Sequence, residues 1–267
     1  MATLHFLARL VHISQIRERE VLMQAPRHYS RAPITEAIID LKVTLPEGFS
    51  VDKLTDIHAH ISDRFPTQEP IHAGSLLFQS GPNIKIDASR QHHGFLFRSE
   101  DGLRVFQATL SGFTFNRLAP YETWEEFRDD GRHLWEIYKD ICKPSSVTRV
   151  AVRYINRLDL PGPALDFKDY LRTVPEVAPD LPQGLSTFFM QLQIPQEDLN
   201  CMLIINETLV PPTSPGLVAV ILDIDLFREQ IWQSDDEAIW LFLEQLRHRK
   251  NLAFEASITE RTKRLID

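Results

Sequence analysis

From Ile34 to Val43 the chain alternates. Thr35, Ala37, Ile39, Leu41 and Val43 share one face, and Ile34, Glu36, Ile38, Asp40 and Lys42 share the other. A period of two predicts a strand. Pro46-Glu47-Gly48 ends it, and Ser50 offers a cap for a helix carrying Leu54, Ile57, Ile61 and Phe65, stopped by Pro66. Strand-like runs follow at Ser75–Gln79, Ile84–Ala88, Phe95–Ser99 and Leu103–Leu118, separated by the turn formers Gly81-Pro82-Asn83 and Glu100-Asp101-Gly102. A helix from Trp124 to Ile141 then lines up Trp124, Phe127, Leu134, Trp135, Tyr138 and Ile141 as one apolar stripe, the mark of a core face.

The second half repeats the order. A strand runs from Val147 to Leu160, a weak helix covers Asp166–Arg172, and strands follow at Ser186–Ile194, Cys201–Val210 and Leu217–Leu226. Pro161, Pro163, Pro175, Pro179 and Pro182 punctuate a long irregular connection, a length that in a compact fold goes with function or disorder. The closing helix spans Asp236 to His248, with Ile239, Phe242, Leu243 and Leu246 inward, and the tail Ala253–Thr259 reads equally as strand or helix. Each closing helix is entered through a capping box, Thr123-Trp124-Glu125-Glu126 and Ser234-Asp235-Asp236-Glu237. In such a box two orphan N–H groups are satisfied reciprocally.

These patterns predict an α+β fold with a mainly antiparallel, curved sheet and helices on one face. They also predict internal duplication: residues 1–30 as an N-terminal extension, 31–145 as a first half, and 146–267 as a second half packed with the first as one unit. The leading segment carries Leu4, Leu7, Val11 and Ile16 with Arg9, Arg17 and Arg19, and no acid before Glu18. It reads as a transit peptide, as a partner-binding arm, or as an upstream extension with Met23 as the start. The core pattern, which begins only at Arg31, favours the last.

Charge narrows the function classes. The net charge of −8 argues against a general nucleic-acid binder, which carries a basic face. With 43% hydrophobic residues the chain can bury a real core, yet no apolar run reaches the roughly 18 residues of a membrane helix. Cys142 and Cys201 stand far apart, outside any metal-type spacing, and read as buried thiols of a cytoplasmic protein.

The phrases Pro33-Ile34-Thr35-Glu36-Ala37-Ile38-Ile39-Asp40, Arg153-Tyr154-Ile155-Asn156-Arg157 and Leu222-Asp223-Ile224-Asp225, with the tail from Phe254 to Thr259, occur in this order. Together they resemble a sporadically distributed family of uncharacterised bacterial proteins of about this size. The resemblance covers nearly all of residues 31–260 and leaves out residues 1–22. It implies no reaction; a patchy distribution implies horizontal transfer and an accessory or defence-type role.

The candidate chemistry lies on the strands. Arg149, Arg153, Arg157 and Asp159 share one face of their strand, and Glu36, Asp40 and Lys42 share the corresponding face of its first-half counterpart. Asp223 and Asp225 share a face of an otherwise apolar strand and need partners, because an unpaired buried charge is costly. Arg153 or Arg157 suits them, since a guanidinium grips a carboxylate with two parallel bonds. Three readings stay open: ion pairs that hold the halves together, a pocket for an anionic ligand gripped by Arg153 and Arg157, or an oxygen-ligated Mg²⁺ on Asp223 and Asp225.

Other motifs carry less. Glu36, Asp40 and Lys42 faintly resemble the alternating acid-and-lysine strand of triphosphate-tunnel enzymes, but Ile38 stands where an acid belongs. His58 and His60 point apart on a helix. His92-His93 beside a glycine reads as solvated, and the charges of Arg128–Arg132 and Arg247–Lys250 read as ordinary helix faces. No Gly-rich phosphate loop, HExxH or G-x-S-x-G elbow is present.

The reading that follows is a non-catalytic binding or adaptor protein with a protein partner or as a homodimer, needing no cofactor and no metal. The Pro-rich loop Leu160–Ser186 and the loop Val210–Leu217 are its recognition elements. The alternative is binding or hydrolysis of a phosphorylated or nucleotide ligand in a charged pocket between the halves, lined by Glu36, Asp40, Arg153, Arg157, Asp223 and Asp225.

Overall fold

A computed structural model describes residues 27–78, 86–162, 165–232 and 236–267, with the side chains of 73–78, 86–90 and 236 outside the description. Residues 1–22, the turn Gly81-Pro82-Asn83, and Ser234 and Asp235 of the second capping box lie outside the described residues. Among those described, the fold is α+β: nine strands in one antiparallel sheet, with four α-helices.

The strands are β1 (Ile34–Thr44), β2 (Thr67–Phe78), β3 (Ile86–Arg98), β4 (Arg104–Thr109), β5 (Gly112–Leu118), β6 (Ser146–Pro161), β7 (Phe189–Gln196), β8 (Cys201–Val210) and β9 (Leu217–Trp232). Their order across the sheet is β2-β3-β4-β5-β1-β6-β9-β8-β7. β1 and β6 pair at the centre, Ile38 opposite Arg153 and Lys42 opposite Arg149, so one continuous sheet joins the two parts of the chain. The helices are α1 (His58–Ile61), α2 (Trp124–Cys142), α3 (Asp236–Ser257) and α4 (Glu260–Leu265).

Alternation along β1 sorts its side chains as expected: Ala37, Ile39 and Leu41 are fully buried, while Glu36, Ile38, Asp40 and Lys42 are half-buried. On the buried face the Phe113 ring meets Trp135 of α2 edge-on, with centroids 5.7 Å apart. α3 packs against β6 and β9, placing Ile239, Leu243 and Leu246 in the same core. Gly131 sits where the elements converge: a Cβ there would stand 3.2 Å from Ile39, 3.3 Å from Phe115 and 3.7 Å from Trp240 of α3. Thr123 caps α2 by accepting from the Glu126 N–H, as the first capping box requires.

Several boundaries differ from the pattern reading. Ser50 caps as expected, but the segment is a 3₁₀ helix, Val51–Ile57, passing into the single turn of α1. Val51, Asp52, Thr55 and Asp56 are weak helix formers, and the four apolar anchors Leu54, Ile57, Ile61 and Phe65 are buried all the same. The run Leu103–Leu118 is a hairpin, because Thr109 bonds Ser111 and the Gly112 carbonyl, and Gly112 adopts φ +151°. The weak helix at 166–172 shrinks to one 3₁₀ turn, Phe167–Asp169, capped by Asp166. β9 runs on to Trp232 and α3 to Ser257, so most of the undecided tail is helix, and Thr259 caps α4. β2 begins at Thr67 and β3 is one strand, their polar stretches held by paired backbone across a bulge at Ile71/His72.

Candidate functional site

The charged residues singled out in sequence gather on the sheet face opposite Ile39 and Leu41. Arg149 donates to Asp40 (2.7 Å) and to Asp225 (3.2 Å), with its guanidinium 4.3 Å above the Phe227 ring. Arg153 grips Asp223 with two bonds of 2.8 and 2.7 Å, and Asp223 also accepts from Asn206. Asp40 accepts from Thr114 and pairs with Lys42 at 3.0 Å, and Glu36 accepts from Asn116. Arg157 stands apart, donating to Asp159 and to the Pro211 carbonyl. Asp40 of β1 meets Arg149 of β6 as the strand pattern anticipates, while Glu36 turns to Asn116 of β5 instead. Burial raises the Asp225 carboxyl and the Arg149 and Arg153 cations pull it back, while the bond to Asp223 raises Arg153 further. Every one of these charges has a counter-charge or hydrogen-bond partner at short range.

A concavity lies elsewhere among the described residues. A cleft of about 1170 Å³ opens between the segment leading into β1, the link from β5 to α2, β6, and the C-terminal half of α3. Glu36, Asp40, Arg153, Arg157, Asp223 and Asp225 are not among its lining residues; Tyr121, Tyr154, Asn156, Arg247, His248 and Lys250 are. At its base the Tyr121 and Tyr154 hydroxyls stand 3.0 Å apart with the rings edge to face. Burial pushes Tyr121 up to about 12 and raises Tyr154 well above the usual range, so both stay protonated at neutral pH. Asn156 is buried and spends its amide on the Tyr154 and Leu222 carbonyls.

Lys250 is the unusual member. It is 8% exposed and holds its ammonium 3.9 Å from the centre of the Tyr154 ring, a contact that favours the cation. Burial, assisted by the Arg247 charge, pushes its pKa down to about 7. The neighbouring His248 buries Nε2 without a partner, and burial lowers its pKa, helped by Arg247 and Arg249. The half-buried Arg247 acts on both tyrosines. The cleft's acids are engaged or at the rim: Glu255 accepts from Tyr29 and pairs with Lys263, Glu122 pairs with Arg117, and Glu125 is exposed. Among the described residues neither Arg247 nor Lys250 has a carboxylate within ion-pair distance.

Reading Arg247–Lys250 as an ordinary helix face is therefore corrected. Ending the helix at His248 left Lys250 outside it. In the full α3, Lys250 follows Ile239, Leu243 and Leu246 at spacings of 4, 3 and 4 on the core-facing stripe, and Ala253 and Ser257 continue it. The reading of His92-His93 as solvated is also corrected: both are half-buried in β3, His92 bonding the Gly94 carbonyl and His93 the Ser111 hydroxyl. Cys142 and Cys201 are buried free thiols, and burial pushes Cys142 up to about 12.

One further buried ionisable group lies outside the cleft. Glu207 of β8, between Met190 and Leu222 in register, is fully buried with both carboxylate oxygens unpartnered. Burial pushes it up to about 7. Among the described residues no three His, Cys, Asp or Glu side chains cluster as a metal site, and no helix is long and apolar enough to cross a membrane. No family model, curated protein or solved structure matches the chain.

Proposed function

We propose that this protein binds a small anionic ligand, of the phosphorylated or nucleotide class, in the cleft above Tyr154. The observation that carries the reading is Arg247, a half-buried guanidinium lining the cleft with no carboxylate at ion-pair distance among the described residues, beside the buried amine of Lys250. A cation taken from water without a counter-ion is destabilising, and a bound anion offsets that cost. Clefts with convergent polar groups and perturbed titratable residues are the usual place for small ligands. The charged strand residues, first candidates for the grip, act in this reading as the tie between β1, β6 and β9.

We further infer that the chain is internally duplicated, with the helices of both halves on one face. The support is the path of the strands. From the centre outward the first half runs β1-β5-β4-β3-β2 and the second β6-β9-β8-β7, so each half starts at the centre and returns to it. A cleft where the halves meet suits such an arrangement. Membership of the sporadic bacterial family, and with it an accessory or defence-type role, rests on the resemblance alone. A cytoplasmic location accords with two buried free thiols.

A protein-binding role is a second reading, favoured by a different surface. β7 is one of the two sheet edges, with Phe189 68% exposed, and Leu181 in the preceding Pro-rich stretch is 57% exposed. An unpaired edge with apolar side chains is a template for strand addition.

Native mass spectrometry of gently purified protein, with pyrophosphate added in a parallel sample, tests the first reading. A bound anion, carried over or added, that is lost in Arg247→Gln supports it. A bare chain in both samples contradicts it, and a co-purifying protein held through β7 moves the function to the edge.

A further inference from the structure

We propose that Lys250 is an amine nucleophile that forms an imine with an aldehyde or ketone whose phosphate or carboxylate group is held by Arg247. The inference rests on the anion-cleft reading and names the ligand's reacting group.

Three observations converge on it. First, Lys250 occupies a core position of α3 where a methionine would pack at no electrostatic cost, yet the position opens to the cleft. Second, its nitrogen touches an aromatic face and has no carboxylate partner among the described residues. Burial without an acid favours the neutral amine, and only the neutral amine has the lone pair that attacks a carbonyl carbon. The groups that bear on it are Arg247 on its own helix and, from the facing elements, the Tyr154 ring and the Tyr121 hydroxyl bonded to Tyr154. None is an anion at neutral pH. Third, the ring that Lys250 contacts carries one hydroxyl of a bonded pair, Tyr154 with Tyr121, a route for the protons the reaction moves.

The step balances without a co-reactant. The Nζ lone pair forms a bond to the carbonyl carbon, and the C=O π pair moves to oxygen, which takes a proton. The carbinolamine loses that oxygen as water after a second protonation, the nitrogen gives up its protons, and the product is an imine. The Tyr121–Tyr154 pair relays protons to and from the departing oxygen. Arg247 supplies the hold on the anionic group that keeps the carbonyl within reach.

The test uses the full chain, pyridoxal 5′-phosphate as an aldehyde with a phosphate, and cyanoborohydride to trap the imine at pH 7.5. Peptide mapping is expected to find one adduct, on Lys250, formed about tenfold or more faster than on any surface lysine. Pyrophosphate in excess is expected to suppress it, and Arg247→Gln to slow it about tenfold. Adducts spread over surface lysines with Lys250 unmodified overturn the proposal. A separate titration with pyrophosphate distinguishes the two levels. If pyrophosphate binds and Lys250 is not trapped, the imine falls and the anion cleft stands. If neither occurs, both fall.

Discussion

The two faces of the central strand β6 handle charge in opposite ways. On one, Arg149, Arg153 and Lys42 are locked to Asp40, Asp223 and Asp225, three cations to three anions across three neighbouring strands. On the other, Tyr154 carries Lys250 on its ring, with Arg247 close by and, among the described residues, no carboxylate at ion-pair distance from either. The same strand thus presents a neutralised ladder and an uncompensated pair. A matched ladder leaves nothing for a ligand to complete. A half-buried guanidinium without a counter-ion holds free energy that an arriving anion can release. Density of charge in the sequence pointed to the first surface; absence of partners in space points to the second.

Variants can break this contrast, and the largest effect belongs to the cleft. Lys250→Met is expected to stabilise the ligand-free protein. The sign follows from a folded-state pKa of about 7 against an ordinary 10.5. Above 10.5 the amine is neutral in both states and costs nothing. As pH falls toward 7 the unfolded chain gains a proton that the fold resists, and below 7 the cost is complete. Chemical denaturation at pH 6 is expected to show a gain of as much as about 4 kcal/mol, less whatever the Tyr154 ring returns to the cation, fading toward pH 10. A loss at pH 6 would show that Lys250 is balanced after all.

Glu207 gives the mirror case outside the cleft. Its folded pKa of about 7 lies above the ordinary 4.5, so the fold favours the protonated carboxyl. Its contribution is complete below 4.5, declines as pH rises to 7, and stays low above. Glu207→Gln is therefore expected to stabilise by up to about 3 kcal/mol at pH 8 and to be near neutral at pH 4.5. Denaturation midpoints across that range check the slope.

On the matched face the sign reverses. Arg153→Ala strips Asp223 of its two-bond partner and leaves a buried carboxylate with Asn206 alone. A loss of about 2 kcal/mol is expected, with pyrophosphate binding unchanged. Arg157→Ala, whose ion pair is with the half-exposed Asp159, is expected to cost at most about 1 kcal/mol. If Arg153→Ala abolished binding without destabilising the fold, the ladder and not the cleft would be the site.

The fold was largely legible where one periodicity ran unbroken. β1, β6 and β8 have strict alternation or long β-branched runs, and their faces sort as the pattern implies. The salt-bridge chemistry of Arg153 with Asp223 was legible too, because two acids on an apolar strand require cations. What was hidden has physical reasons. The β4–β5 turn is built from Thr109, Ser111 and Gly112 side-chain and backbone bonds that do not interrupt alternation. The cleft depends on α3 continuing through the polar run Arg247-His248-Arg249-Lys250-Asn251, which reads as a helix end. Only when Ile258 pairs with Leu171 and Thr259 caps α4 is that last stretch fixed against the rest of the chain. Lys250 is then buried by a tertiary arrangement that no local pattern encodes.

The central claim is that Arg247 of the cleft, and not the paired arginines of the sheet, receives an anion. Calorimetric titration of pyrophosphate at pH 6.5 into the wild type, Arg247→Gln and Arg153→Ala tests it most directly. The account predicts one site per chain in the wild type, the same affinity in Arg153→Ala, and about tenfold weaker binding or none in Arg247→Gln. Binding lost in Arg153→Ala but kept in Arg247→Gln would contradict it.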